Sequence, residues 1–287
     1  MPDRPPGIDP LPDEAALQRP VLRIPEDFPQ FLELAYGPMG FEHRECRWDV
    51  GVMQADALQT DPQATLAALE RLETELPGLV EHEARWLLSQ QEPILILADV
   101  PPAAALLAER VGAPLVWLAS FGWDAIYAPM GEVFSGWASR CRDLYRRGDL
   151  LIQCPLCLPM DWGIPRVEVG VTSSRPRLDV PSLRRQLRLP EERERVVLIS
   201  FGGLGLTVDP GLLARWPDHV FVTPEPTLAE TPNARRLPPG ARPLDLMPAT
   251  GRLITKPGYS SFCEAFSQGV GLHVVERSGF AEAPVLR

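Results

Sequence analysis

Thr255-Lys256-Pro257-Gly258-Tyr259-Ser260-Ser261-Phe262-Cys263-Glu264-Ala265 is the stretch whose reading decides the fold. Arg252–Thr255 is a short apolar-rich strand, Pro257-Gly258 turns the chain, and two serines open a helix over Ser260–Gln268 that stops at Gly269. The first turn of such a helix has N–H groups without intrahelical partners. With the Ser260 and Ser261 hydroxyls and the approach allowed by Gly258, they form a candidate anion site. Glu264 lies one turn in, where a carboxylate can accept from two vicinal hydroxyls. The alternative is local: serines that only cap the helix and a glutamate that only favours its positive end, each worth about 1 kcal/mol.

Upstream, Arg195–Phe201 is a strand of apolar residues running into Gly202-Gly203-Leu204-Gly205. Glycines at the exit of a parallel strand let backbone approach a ligand, although the spacing is not the dinucleotide fingerprint and equally suits a tight strand-to-helix turn. Downstream, strand Leu272–Glu276 leaves into Arg277-Ser278-Gly279-Phe280-Ala281-Glu282, by itself an ordinary surface loop. Three loops at exits of parallel strands argue together for one rim. Val220–Thr223 supplies a further strand, with helices at Pro181–Leu189, capped by Asp179, and at Pro210–Trp216.

The preceding half repeats this grammar. Asp61-Pro62 starts helical periodicity over Ala64–Gln90, expected to break in two at Pro77-Gly78. Pro93–Ala98 is a buried parallel strand, Pro102–Val111 a helix stopped by Gly112, and Pro114–Leu118 the next strand. Trp123–Arg147 is expected to be helical, and the proline-rich Cys154–Arg177 an irregular connection between domains. The expectation is α/β: a disordered tail over residues 1–20, one Rossmann-like domain over 21–160 and another over 161–287.

Composition bounds the function. The 287 residues include 45% hydrophobic and 23% charged residues, globular values. A formal charge of −10 disfavours a nucleic-acid partner, which needs clustered cations, but leaves room for a diphosphate held by backbone N–H groups. Five cysteines make no disulfide framework, no apolar run is long enough for a transmembrane segment, and no leader opens the chain, so the expected location is cytoplasmic. No metal and no cofactor is called for, since no Asp-x-Asp pair occurs. Cys154-Pro-Leu-Cys157 has redox spacing but sits in a proline-rich connector without the helix start that activates such thiols. Gly258-Tyr-Ser-Ser-Phe262 is not a hydrolase elbow, because its last position is Phe.

Taken in order, Lys256-Pro-Gly-Tyr-Ser-Ser-Phe-Cys-Glu-Ala265 and Gly279-Phe-Ala-Glu-Ala-Pro-Val-Leu-Arg287 resemble the donor-site signature of GT-B glycosyltransferases. The resemblance is to the MurG-like group and to the glycosyltransferase-like N-terminal part of some L-arabinokinases. Asp49-Val-Gly-Val-Met-Gln54, Ala98-Asp-Val-Pro-Pro102 and Ser120-Phe-Gly-Trp-Asp-Ala-Ile-Tyr127 are similar to segments of the arabinokinase-type group in the same order. The resemblance implies two Rossmann-like domains facing across a cleft. It implies that a nucleotide diphosphate sugar binds through Gly202, Gly203, Gly258, Ser260, Ser261, Glu264 and Glu282, with Glu264 on the ribose. The implied reaction is transfer of that sugar to the hydroxyl of an unidentified acceptor. Asp99 and Asp124, at or past strand ends, are the candidate catalytic bases, and each also reads as an ordinary cap. Trp123 and Tyr127 either line the acceptor side or belong to the core.

The chain departs from that family in two places. It has no G-H-G-x-G-H loop, its four histidines being isolated, and it stops as the last donor-site helix starts. Both domains are therefore expected to be incomplete. The competing reading is a non-catalytic sugar-nucleotide-binding module or a degenerate fragment; an epimerase of the same fold is a third.

Overall fold

A computed structural model of the chain describes residues 21–24, 42–54, 60–201, 209–276 and 282–286. These fall into two compact units, one running to Met53 and over Asp61–Val169, the other from Gly170 onward together with Gln54 and Thr60. The tail expected over residues 1–20 lies outside the described residues.

In the first unit β1 (Val21–Ile24) and β2 (Glu42–Glu45) form a two-stranded parallel pair. Then comes α1 (Pro62–Ser89), started by Asp61, whose carboxylate accepts from the Ala64 N–H at 2.9 Å. The helix runs unbroken through Pro77, contrary to the expected division. A proline inside a helix costs about 3 kcal/mol. Here Leu69, Leu76, Val80 and Ala84 keep one buried stripe on both sides of it, and splitting the helix would forfeit that packing. β3 (Ile96–Ala98), α2 (Ala104–Val111) and β4 (Leu115–Ala119) follow as expected.

The stretch 123–147 is not one helix but α3 (Trp123–Tyr127) and α4 (Ser135–Tyr145), separated by 3₁₀ turns around Pro129 and by Gly131 at φ 110°. β5 (Leu150–Gln153) and β6 (Arg166–Glu168) complete a four-stranded parallel sheet in the order β3-β4-β5-β6. β6 lies inside the segment expected to be irregular. It is a three-residue edge strand exposed throughout, so no burial pattern marks it in the sequence. Its pairing with β5 keeps this stretch in the first unit.

In the second unit α5 (Val180–Leu187) is capped by Asp179 on the Ser182 N–H at 2.9 Å. β7 (Val196–Ile199), β8 (Val220–Thr223), β9 (Ala234–Arg236), α6 (Pro243–Leu246), β10 (Arg252–Thr255), α7 (Tyr259–Ser267) and β11 (Gly271–Val274) follow. The helix expected at 210–216 is 3₁₀ over Pro210–Arg215. All five strands are parallel, in the order β11-β10-β7-β8-β9. Both faces of β7 are covered: Val196 and Leu198 pack with Leu187, Leu244 and Leu246, while Val197 and Ile199 pack with Leu213, Phe221 and Leu228. Burial on both sides is why the strand reads as a continuous apolar run.

Among the described residues no helix is long and apolar enough to cross a membrane.

Candidate functional site

The strand order of the second sheet creates the site. From β7 the chain moves outward through β8 and β9, then returns past β7 to β10 and β11. Ligands of open α/β sheets bind beyond the carboxyl ends of strands at such a reversal. The Ser200 N–H donates to the Ile254 carbonyl at 3.0 Å and the Val275 N–H to the Thr255 carbonyl at 2.8 Å, so three adjoining strands end side by side. The loops leaving them are those singled out in the sequence. Gly202 and Gly203 lie outside the described residues. Glu282 is buried, and its carbonyl accepts from the Val285 N–H at 3.1 Å.

The middle exit carries α7. Its N-cap is Gly258, in extended conformation and without a side chain to cap the helix. Ser260 and Ser261 therefore occupy the second and third helical positions, and neither is the N-cap. Ser260 is exposed and Ser261 half-buried. At the opposite end the Arg193 guanidinium donates to the carbonyls of Gln268 at 3.2 Å and Gly269 at 3.1 Å, and twice to that of Thr250. A cation there complements the negative end of the helix dipole and leaves the positive end facing the strand exits.

Glu264 lies three and four residues beyond the serines, on the same side of the helix. Burial raises its pKa above the ordinary glutamate value; the Arg242 charge opposes that and Asp245 adds to it. Its carboxylate accepts no hydrogen bond among the described residues. Asp245 behaves differently. Burial pushes its carboxyl up, but hydrogen bonds from Arg242 and from the Arg177 N–H outweigh burial and bring it below the usual value. Arg242 is thus committed to Asp245 at 2.8 Å, and Glu264 receives only its field.

In the first unit Asp99 leaves β3 just before Val100, a β-branched residue at φ 77°. That conformation is strained. It is held by the Tyr145 hydroxyl, which donates to the Val100 carbonyl at 2.7 Å. Asp99 has an exposed surface, yet enough protein surrounds its carboxyl for desolvation to raise its pKa. Asp124 is placed otherwise. It is 3% exposed, and its Oδ2 accepts from Arg142 Nε at 3.2 Å and Trp162 Nε1 at 3.3 Å, while Oδ1 has no partner.

A third carboxylate was not among the sequence candidates. Asp49 accepts from Trp123 Nε1 at 2.9 Å, and burial raises its pKa, with the Asp99 charge adding to the effect. The signal available was Asp49-Val50-Gly51: Gly51 has φ 71°, the Trp123 ring packs against it, and its carbonyl accepts from the Tyr127 hydroxyl at 3.0 Å. Asp49 borders an apolar recess lined by Trp48, Trp123, Tyr127, Trp137 and Cys141. Tyr127 is core, stacked on the half-buried Trp123 at 5.6 Å. Burial pushes the Cys141 thiol up to about 12. No cluster of three or more metal-ligating side chains occurs among the described residues.

No family model matches the chain. It is 30% identical over 256 residues to an L-arabinokinase of Arabidopsis thaliana, an alignment covering 85% of this chain and 24% of that protein. The chain thus spans about a quarter of the curated relative it matches. Among solved structures it is similar to UGT2 of Phytolacca americana complexed with UDP-2-fluoroglucose and pterostilbene, with a TM-score of 0.59 and 15% identity over 93% of this chain and 75% of that one. UGT89C1 of Arabidopsis thaliana complexed with quercetin gives a TM-score of 0.60 and 15% identity over 92% and 74% of the two chains. Two α/β units, each on a parallel sheet, and these likenesses lead to one conclusion: the chain has the GT-B glycosyltransferase fold.

Proposed function

We propose that the chain binds a nucleotide diphosphate sugar at the exits of β7, β10 and β11, and that the sugar is transferred to an acceptor hydroxyl. The observation that carries this reading is the adjacency of those exits around the uncapped start of α7, with Glu264 one turn above it. The α7 N–H groups and the Ser260 and Ser261 hydroxyls take the diphosphate, helped by the Gly202-Gly203 loop and the close approach at Gly258. Glu264 accepts from the ribose hydroxyls, and Glu282 reaches the donor sugar. A net charge of −10 is compatible with such a site, because backbone dipoles supply positive potential locally.

In the reaction a carboxylate removes the acceptor proton, the freed oxygen bonds to the anomeric carbon, and the bond to the diphosphate breaks. Charge developing on the leaving diphosphate is met by the helix N–H groups. Asp99 fits the role of base better than Asp124. A raised carboxylate pKa makes a stronger base, whereas the Asp124 carboxylate is enclosed and occupied by Arg142 and Trp162. Asp49, beside Asp99, is the next candidate.

One observation favours a second reading, a sugar-nucleotide-binding module without turnover. Among the described residues His43 lies on β2 and His82 on α1, so no histidine stands at a strand exit of the first sheet. A thermal-shift screen tests the shared part of both readings. The solved neighbour with UDP-2-fluoroglucose makes UDP sugars the first to try. A ligand at a hundred times its Kd stabilises the native state by about 2.7 kcal/mol, so a bound sugar nucleotide raises the melting temperature by several degrees. No response to any nucleotide sugar would remove both readings.

A further inference from the structure

The edge strand β6 ends the first sheet, and all three of its residues are exposed. Its pairing with β5 decides which of its backbone groups remain available. The Leu151 N–H donates to the Pro165 carbonyl at 2.9 Å, and the Val169 N–H to the Gln153 carbonyl at 3.0 Å. Along a parallel ladder, residues bonded to one neighbour alternate with residues facing the other side. Positions 165, 167 and 169 therefore face β5, and the N–H and C=O groups of Arg166 and Glu168 point off the sheet.

The side chains divide in the same way. Val167 lies on the sheet face of its register partner Ile152, and Val169, two residues on, keeps that side; the two valines are 43% and 37% exposed. Arg166 and Glu168 lie on the opposite face, and neither side chain makes an ion pair or hydrogen bond among the described residues.

We infer that β6 is a self-complementary edge that pairs antiparallel with β6 of a second copy of this chain. A two-fold axis at Val167 makes the two Val167 residues a central pair of the closely approaching, non-hydrogen-bonded kind. On either side of it Arg166 of one copy faces Glu168 of the other. Each such pair exchanges both of its N–H···O=C bonds through the groups that β5 leaves free. Each also sets opposite charges directly across the strands. The neighbouring registers fail on charge: an axis at Glu168 opposes two glutamates, and an axis at Arg166 opposes two arginines. Register is thus specified by three residues. A strand this short buries less than a standard stable interface, so the dimer is weak and depends on concentration.

Sedimentation-velocity ultracentrifugation from low micromolar to several hundred micromolar protein tests this. The wild-type chain shifts from monomer to dimer over that range. Glu168→Arg and Arg166→Glu each put like charges across both pairs and raise the dissociation constant by about tenfold or more. An equimolar mixture of the two variants restores opposite charges at both pairs and sediments as a dimer, as does the Arg166→Glu/Glu168→Arg double variant. A wild type that stays monomeric overturns the inference. So does a dimer that neither single variant weakens, or a mixture that remains monomeric. None of these outcomes involves the sugar-nucleotide site.

Discussion

Replacing Glu264 separates binding from stability. Its carboxylate is half-buried, accepts no hydrogen bond among the described residues, and is raised in pKa by burial. In the empty protein, therefore, the ionised carboxylate is held against its solvation preference. With a ribose bound, it gains two charge-assisted hydrogen bonds. Removing them costs about 1–3 kcal/mol, or about five- to 150-fold in affinity. Glu264→Gln keeps the shape and removes the charge, so it weakens binding of a nucleotide diphosphate sugar by that factor while leaving the melting temperature of the empty protein unchanged or higher. The pH dependence has a definite sign. A folded pKa above the unfolded value makes this group favour the folded state at low pH, and that contribution is lost as pH rises through the folded value. Donor affinity runs the opposite way, because binding uses the ionised form. It falls as pH drops through the raised Glu264 pKa, above the ordinary glutamate value. Calorimetry of the wild type and Glu264→Gln across that range is the assay. Equal affinities of the two proteins at neutral pH, or an identical fall in both on acidification, would refute the reasoning.

Two further outcomes follow from packing. A Cβ on Gly148 would press into the Trp117 ring, which is fully buried and donates from Nε1 to the Tyr145 carbonyl at 3.0 Å. Gly148→Ala is expected to cost about 1–3 kcal/mol, read as a lower urea midpoint; an unchanged midpoint would show that the Trp117 site can yield. Of the five free cysteines, four are buried and only Cys157 is partly accessible. A thiol reagent on the native protein should therefore label Cys157 first, as peptide mass mapping would show, and rapid labelling of Cys141 would contradict its enclosure.

Local chemistry made much of this molecule legible. Strand β7, Val196–Ile199, is legible within the apolar run Arg195–Phe201 because its residues are buried on both faces. Asp61 and Asp179 announce their helices because capping is a contact between residues three apart. Pro257-Gly258 followed by Ser260, Ser261 and Glu264 already spells a strand exit and a helix start. What those residues do together depended on contacts that no local window contains. Strand order alone sets β10 beside β7 and joins their exits. Pro77 stays helical because residues on either side of it share one buried stripe with distant partners. β6 carries no local sequence signal because an exposed edge strand is defined by the neighbour that pairs with it. Asp124 and Asp99 look alike along the chain, yet one is enclosed by Trp162 and Arg142 and the other stands at a sheet edge. Periodicity, caps and turns are short-range and were present in the sequence by itself. Desolvation and strand pairing sum over neighbours far along the chain, so only the folded structure decided them.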